Sequence, residues 1–182
     1  MNSQLSQEAA REMFEQYSPY VYRTAWLLTK SDALADDITQ ETFIQAFRKY
    51  GTYNPDKPFK PWIYKITLNT MRNMVRKRQW LTLFGIMPEQ ADERSAEHVV
   101  MEGEEQAQLR KEIDRLPRKL REVIVLHFYA GLKLGEAAEA LEIPLGTCKS
   151  RLHAGLTKLR KQVPQNDFFQ YRKGGDEVYD RG

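Results

Sequence analysis

Cysteine is nearly absent. Cys148 is the one thiol in 182 residues, which excludes an internal disulfide and suits a reducing compartment. The three histidines, His98, His127 and His153, lie far apart, with no cysteine or histidine at ligand spacing. Neither a metal site nor a bound cofactor is expected. No apolar run approaches the roughly 20 residues that span a bilayer, and the polar amino terminus carries no cleavable signal. The chain is therefore expected to be soluble and cytoplasmic. Alternating apolar and polar runs are also missing, which argues against strands. A large net charge is lacking too: 28 Lys and Arg against 25 Asp and Glu leave only +3, so whole-chain charge makes no case for nucleic acid.

The distribution of charge makes that case instead. Met1 to Phe47 holds seven acids and three cations, Arg48 to Arg78 holds nine cations with Asp56 as the one acid, and Glu89 to Glu105 swings back to seven acids against Arg94. Helical periodicity dominates on either side of the acidic stretch. These features predict an all-α chain of two small helical domains, residues 1–80 and 107–163, joined by a flexible acidic linker over 81–106. The polar tail, 164–182, is expected to be disordered.

In the first domain Ala9, Met13, Phe14 and Tyr17 form an apolar stripe, and Ser18-Pro19 is expected to end that helix. A second helix would bury Val21, Tyr22, Ala25, Trp26 and Leu28. Ser31 or Asp32 can cap a third, running to about Tyr50, with Leu34, Ile38, Phe43 and Phe47 inward and Asp36, Asp37, Gln40, Glu41 and Gln45 outward. Gly51, Pro55 and Pro58 keep 51–60 out of regular helix. Pro61 then opens a fourth helix, from Trp62 to about Gln79, studded with Lys65, Arg72, Arg76, Lys77 and Arg78. Aromatics beside cations form platforms for unstacked bases, at about 1–3 kcal/mol per base. The same pattern also fits core anchors of a small bundle, and for Trp62 and Ile66 that is the better reading.

In the second domain, Glu104 to Leu116 is helical and Pro117 resets the chain. Leu120, Val123, Ile124, His127 and Phe128 make a packed helix that Gly131 ends. Leu134, Ala137, Ala138 and Leu141 share one face of a further short helix. Glu142-Ile143 is a tight turn, and Pro144 suits the start of another helix. Leu145, Cys148, Leu152, Leu156 and Leu159 face inward on that last helix, which carries no acid before its end. Its outward residues, Thr147, Lys149, Ser150, Arg151, His153 and Lys158, are of types that reach base edges and phosphates in a major groove. The pattern is that of a DNA-reading helix-turn-helix, against the plainer alternative of a helical hairpin with a solvated basic face.

Three stretches together resemble the bacterial sigma factors of the extracytoplasmic-function (ECF) group. Ala35-Asp36-Asp37-Ile38-Thr39-Gln40-Glu41-Thr42-Phe43 is similar to the family's AEDLVQETF helix. Phe59-Lys60-Pro61-Trp62-Ile63-Tyr64-Lys65-Ile66, with Asn69, is similar to its F-x-x-W-L-y-x-I-A-x-N segment. Ile143-Pro144-Leu145-Gly146-Thr147-Cys148-Lys149-Ser150-Arg151-Leu152 is similar to its I-P-x-G-T-V-K-S-R recognition helix. The resemblance covers roughly Ala9 to Lys161. It implies a region 2-like first domain, a region 4-like second domain, and no enzyme activity. Core RNA polymerase would bind through Asp36, Asp37, Gln40 and Glu41. Tyr53, Lys57, Phe59, Lys60, Lys65, Asn69, Arg72 and Arg76 would melt and hold the promoter's −10 element as single strand, while Thr147, Lys149, Ser150, Arg151, His153 and Lys158 would read the −35 element as duplex. It also implies an anti-sigma factor, often membrane-bound, as a possible further partner. Two departures stand out: Ala154 occupies a place where relatives often carry Arg, and Ala137-Ala138 replaces the usual E-I-A.

Two other readings compete. A stand-alone helix-turn-helix regulator accounts for the second domain but leaves the acidic and basic faces of the first without a role. A nuclease would use Asp37 and Glu41, spaced i, i+4, to hold Mg²⁺, yet such pairs are common on helix surfaces.

Overall fold

The computed structural model describes residues 5–86 and 104–163. The expected linker falls mostly on 87–103 and the expected tail on 164–182, outside the described residues. All regular structure among the described residues is helical: α1 (Gln7–Thr29), α2 (Asp32–Arg48), α3 (Phe59–Leu83), α4 (Glu104–Arg115), α5 (Arg118–Ile124), α6 (Leu134–Leu141) and α7 (Leu145–Gln162). A short 3-10 turn, Tyr50–Thr52, follows α2, and a π-helical turn, Val125–Tyr129, extends α5.

α1 is one helix where the sequence predicts two. Its N-cap Ser6 accepts a hydrogen bond from the Ala9 amide, and Pro19 lies within it. An interior proline removes the hydrogen bond to residue i−4, here the Glu15 carbonyl. Both residues are exposed, so water can satisfy that carbonyl, and Val21, Ala25 and Trp26 pack well enough to carry the helix through. α2 starts where expected, with Ser31 Oγ accepting from the Leu34 amide at 3.3 Å. The Tyr22 hydroxyl donates to Asp32 at 2.9 Å and ties α1 to the start of α2; burial and then the carboxylate push its pKa up to about 12. α3 begins at Phe59, ahead of the expected Trp62, and ends at Leu83. Pro61 is tolerated there because first-turn amides have no intrahelical acceptor. Val21, Ile38, Phe43, Ile63 and Leu68 fill the space between α1, α2 and α3.

In the second unit Val123, Ile124, Leu126, Leu132, Leu141 and Leu159 are buried. Gly155 lets α7 lie close on α5, since a Cβ there would stand 3.2 Å from Ile124 Cγ1. His127 is 8% exposed and its Nδ1 lies 2.7 Å from the Leu132 carbonyl, a core histidine. Cys148 is fully buried on the inner face of α7, and burial pushes its thiol pKa up. α6 ends at Glu142, whose φ of 57° is left-handed, and α7 follows Pro144.

The two units touch. α6 packs on α3, and α1 meets the π-helical turn. An acidic connection long enough to let the units separate thus accompanies an arrangement in which they do not. Ion pairs cross between them, Lys30–Asp114, Lys57–Glu139, Lys65–Glu142 and Arg72–Glu122.

Candidate nucleic-acid and protein interfaces

Three faces present the residues singled out by sequence. On α2, Asp36, Asp37 and Gln40 are exposed, whereas Glu41 is half-buried and accepts a hydrogen bond from Gln45 Nε2 at 2.7 Å. Helical spacing puts Asp37, Gln40, Glu41 and Ile44 on one side. Ile44 is 44% exposed, an apolar residue set in an acidic face. It escaped the sequence reading because an isolated isoleucine in a helix looks like core.

The second face lies on α3 and the loop before it. Tyr53, Phe59 and Trp62 stack as a cluster, with ring centroids 5.2 Å apart for Tyr53 and Trp62 and 5.4 Å apart for Phe59 and Trp62. Phe59 also meets Tyr17 at 4.6 Å. All three are part-buried, so they anchor the loop and still show ring surface. The Tyr53 hydroxyl donates to the Lys57 carbonyl at 2.8 Å and fixes the loop's shape. Beside this cluster a cleft of about 700 Å³ opens between α2 and α3, lined by Gln45, Lys49, Trp62, Lys65, Asn69, Asn73 and Lys77, with Glu41 at its α2 side. Ile66, expected as core, is 8% exposed. Lys60 is exposed, and Arg76 donates to Asn73 Oδ1 at 3.0 Å on the helix surface.

Several cations of this face already hold acids of the second unit. Lys65 Nζ lies 2.8 Å from Glu142 Oε1, Arg72 Nη2 lies 3.0 Å from Glu122 Oε2, and Lys57 Nζ lies 3.7 Å from Glu139 Oε1. Glu122 is nearly fully buried and also takes Arg118 Nε at 2.9 Å. The hydrogen bond from Lys65, its charge, a hydrogen bond from Asn69 and the charge of Arg72 together hold the Glu142 carboxyl below its ordinary pKa, outweighing the upward push of burial. None of these acids was read as functional from the sequence, since their partners lie on a distant helix.

The third face is the outer side of α7. Lys149, Ser150, His153 and Lys158 are exposed, and Thr147 and Arg151 are half-exposed. Ser150 Oγ bonds the Thr147 carbonyl at 3.0 Å. Among the described residues, Lys149, Arg151 and Lys158 form no salt bridge. No cluster of three or more His, Cys, Asp or Glu among them has the geometry to hold a metal ion. No helix among them is long and apolar enough to cross a membrane.

A helix-turn-helix unit joined to a three-helix unit with an acidic face and a basic aromatic face defines a modular DNA-binding protein. The chain matches the family models for Sigma-70 region 2 over residues 13–81 and Sigma-70, region 4 over residues 106–159. It is 34% identical over 160 residues to the ECF RNA polymerase sigma factor SigE of Mycolicibacterium smegmatis, covering 85% of this chain and 62% of that protein, a little under two thirds of its length. It is 30% identical over 176 residues to the ECF RNA polymerase sigma factor SigW of Bacillus subtilis, covering 86% and 90%. The sigma factor RpoE, solved in complex with the anti-sigma factor NepR from Bartonella quintana, shares its fold with a TM-score of 0.71 at 22% identity, covering 86% of this chain and 97% of that one. The chain belongs to the ECF group of the sigma-70 family. Sigma factors of this family are transcription initiation factors that act with RNA polymerase on promoter DNA, and they are not enzymes on their own.

Proposed function

We propose that this protein directs core RNA polymerase to a set of promoters by dividing the work among its three faces. Asp36, Asp37, Gln40 and Glu41, with Ile44, dock on the polymerase. An exposed acidic helix face seeks a basic partner, and an apolar residue at its carboxyl-terminal end adds contact area that excludes water. The loop and α3 take the −10 element as an opened strand through Tyr53, Lys57, Phe59, Lys60, Lys65, Asn69, Arg72 and Arg76. Unstacking a base costs a few kcal/mol, and a site that stacks it and hydrogen-bonds its edge offsets that cost. α7 holds the −35 element as duplex, with Thr147, Lys149, Ser150, Arg151, His153 and Lys158 toward the groove and its phosphates. Residues 1–80 and 107–163 act as the two working domains, joined through 81–106. The RpoE chain of similar fold was solved with an anti-sigma factor, and a protein of that kind is the further partner this reading expects.

The observation that carries this reading is the cleft between α2 and α3, where Trp62 and the amides of Asn69 and Asn73 meet Lys49, Lys65 and Lys77. Aromatic, amide and cationic groups together suit a nucleotide better than they suit a helix-packing surface. The test mixes purified protein, core polymerase and a promoter fragment, and reads strand opening by permanganate reactivity. Opening that needs both protein and polymerase is expected. Tight duplex binding without polymerase association would favour a stand-alone regulator.

A further inference from the structure

Large apolar side chains stand in water at the carboxyl-terminal end of α3. Trp80, Leu83, Phe84 and Ile86 are all exposed there, Trp80 at 56% and Phe84 at 63%. Clustered apolar exposure of this kind marks an interaction surface. The two rings already form a pair, with centroids 4.3 Å apart and planes tilted by 44°. The pair also continues a line of side chains. Lys65, Asn69, Asn73 and Lys77 recur every four residues along α3 and line the cleft, and Trp80 and Phe84 follow Lys77 at i+3 and i+7, on the same side of the helix. Arg76 and Lys77, one turn before Trp80, are exposed. Between Asp56 and Glu89 the chain has no acid, so this end of α3 is apolar and basic at once.

We propose that Trp80 and Phe84 are a second stacking platform, which takes bases of the opened DNA strand where it leaves the cleft past Lys77. The proposal rests on assigning strand capture to this face of α3. A single strand offers what the surface asks for: flat apolar base faces for the rings and phosphates for Arg76 and Lys77. Duplex DNA keeps those base faces stacked on one another, so it satisfies the cations and leaves the rings in water. At about 1.5 Å of rise per residue, Trp80 lies about 27 Å beyond Trp62 along α3. One nucleotide cannot span that distance, so the two aromatic sites hold different bases of one strand. Stacking accepts any base. The amides of the cleft then select sequence, and the platform sets how long a segment stays open.

The test uses the full chain bound to core polymerase, on a promoter template unpaired through the −10 segment and the nucleotides on either side of it. 5-Iododeoxyuridine, which couples to an adjacent aromatic side chain on irradiation, is placed at one position of the opened strand at a time. At least one position should couple to Trp80 or Phe84, and it should differ from those that couple to Tyr53 or Trp62. Abasic nucleotides at that position should lower the affinity of the native protein about tenfold, the loss expected for one stacked base. They should leave the Trp80→Ala, Phe84→Ala variant unaffected, while Trp80→Phe restores the sensitivity. Both side chains are exposed, so helicity by circular dichroism should not change. Abasic nucleotides that weaken native and variant protein equally, with Lys65→Ala still impaired, would overturn the platform and leave strand capture standing. Binding that ignores Lys65→Ala as well would show that the assignment of strand capture is at fault. A native dimer that Trp80→Ala dissociates in sedimentation, without any coupling to DNA, would give the surface to a second copy of the chain and overturn the proposal.

Discussion

The two basic faces of this protein differ in what they already hold. On α3, Lys65 and Arg72 are engaged by carboxylates from the other unit; on α7, Lys149 and Lys158 face solvent without salt bridges among the described residues. Both would be described alike by composition, as helices carrying cations and few acids. The difference teaches that a basic face becomes available according to its acidic neighbours in space. Under the proposed division of labour, the face that would grip a single strand has acids to displace, while the face that would read duplex stands ready.

The contrast can be broken or sharpened by substitution. The largest effect is expected at neither basic face: Asp37→Arg on α2 should weaken core polymerase binding by about a hundredfold through like-charge contact with a basic partner, measured by surface-immobilised polymerase. Circular dichroism should be unchanged, because Asp37 is exposed; loss of helicity would move it to the core. Lys149→Glu should then lower duplex binding by about tenfold and flatten its salt dependence by about one counterion. The free protein's single-strand binding should stay as it is, whereas an equal loss in both would erase the difference between the faces.

Smaller effects lie at the contact between units. Glu122→Gln leaves Arg72 and Arg118 without a buried carboxylate, and should lower stability by about 1–3 kcal/mol in urea unfolding. No change would mean that this contact is already open in solution. Glu142 gives the smallest effect and a pH signature. Its pKa is held down by Lys65 and Asn69 where the units touch. The contact is therefore fully present above the ordinary carboxylate range and fades as pH falls through the lowered pKa. The distance between dyes on the two units should lengthen with acidification, and Glu142→Gln should flatten that dependence; a variant that tracks the native profile would assign it to another group.

Much of each unit was legible in the sequence because local chemistry decided it. Ser31 caps α2, Pro144 precedes α7, and Cys148 and Leu159 sit inward on α7 as their spacing requires. α1 was misread at Pro19, since packing of Val21 and Trp26 outweighed a local breaker on an exposed side. Region 2 and region 4 matches follow the motifs around Ala35–Phe43, Phe59–Asn69 and Ile143–Leu152. Of the acids that face α3, no pattern gave notice: Glu139 and Glu142 lie off the apolar face of α6, and nothing in the local sequence marks Lys30. Their partners are distant in sequence, and the left-handed backbone at Lys30 and Glu142 leaves no compositional trace when glycine is not used.

The contrast between the two basic faces is tested most directly by the polymerase-bound protein on two promoter templates, one fully duplex and one with the −10 segment already unpaired. Initial transcription rates are compared for Lys65→Ala and Lys149→Glu. Strand capture by α3 and duplex reading by α7 predict that Lys149→Glu is impaired on both templates to a similar degree. Lys65→Ala should be impaired most on the duplex template, where opening must be driven by capture. Identical profiles for the two variants, or a Lys149→Glu defect that disappears on the unpaired template, would contradict it.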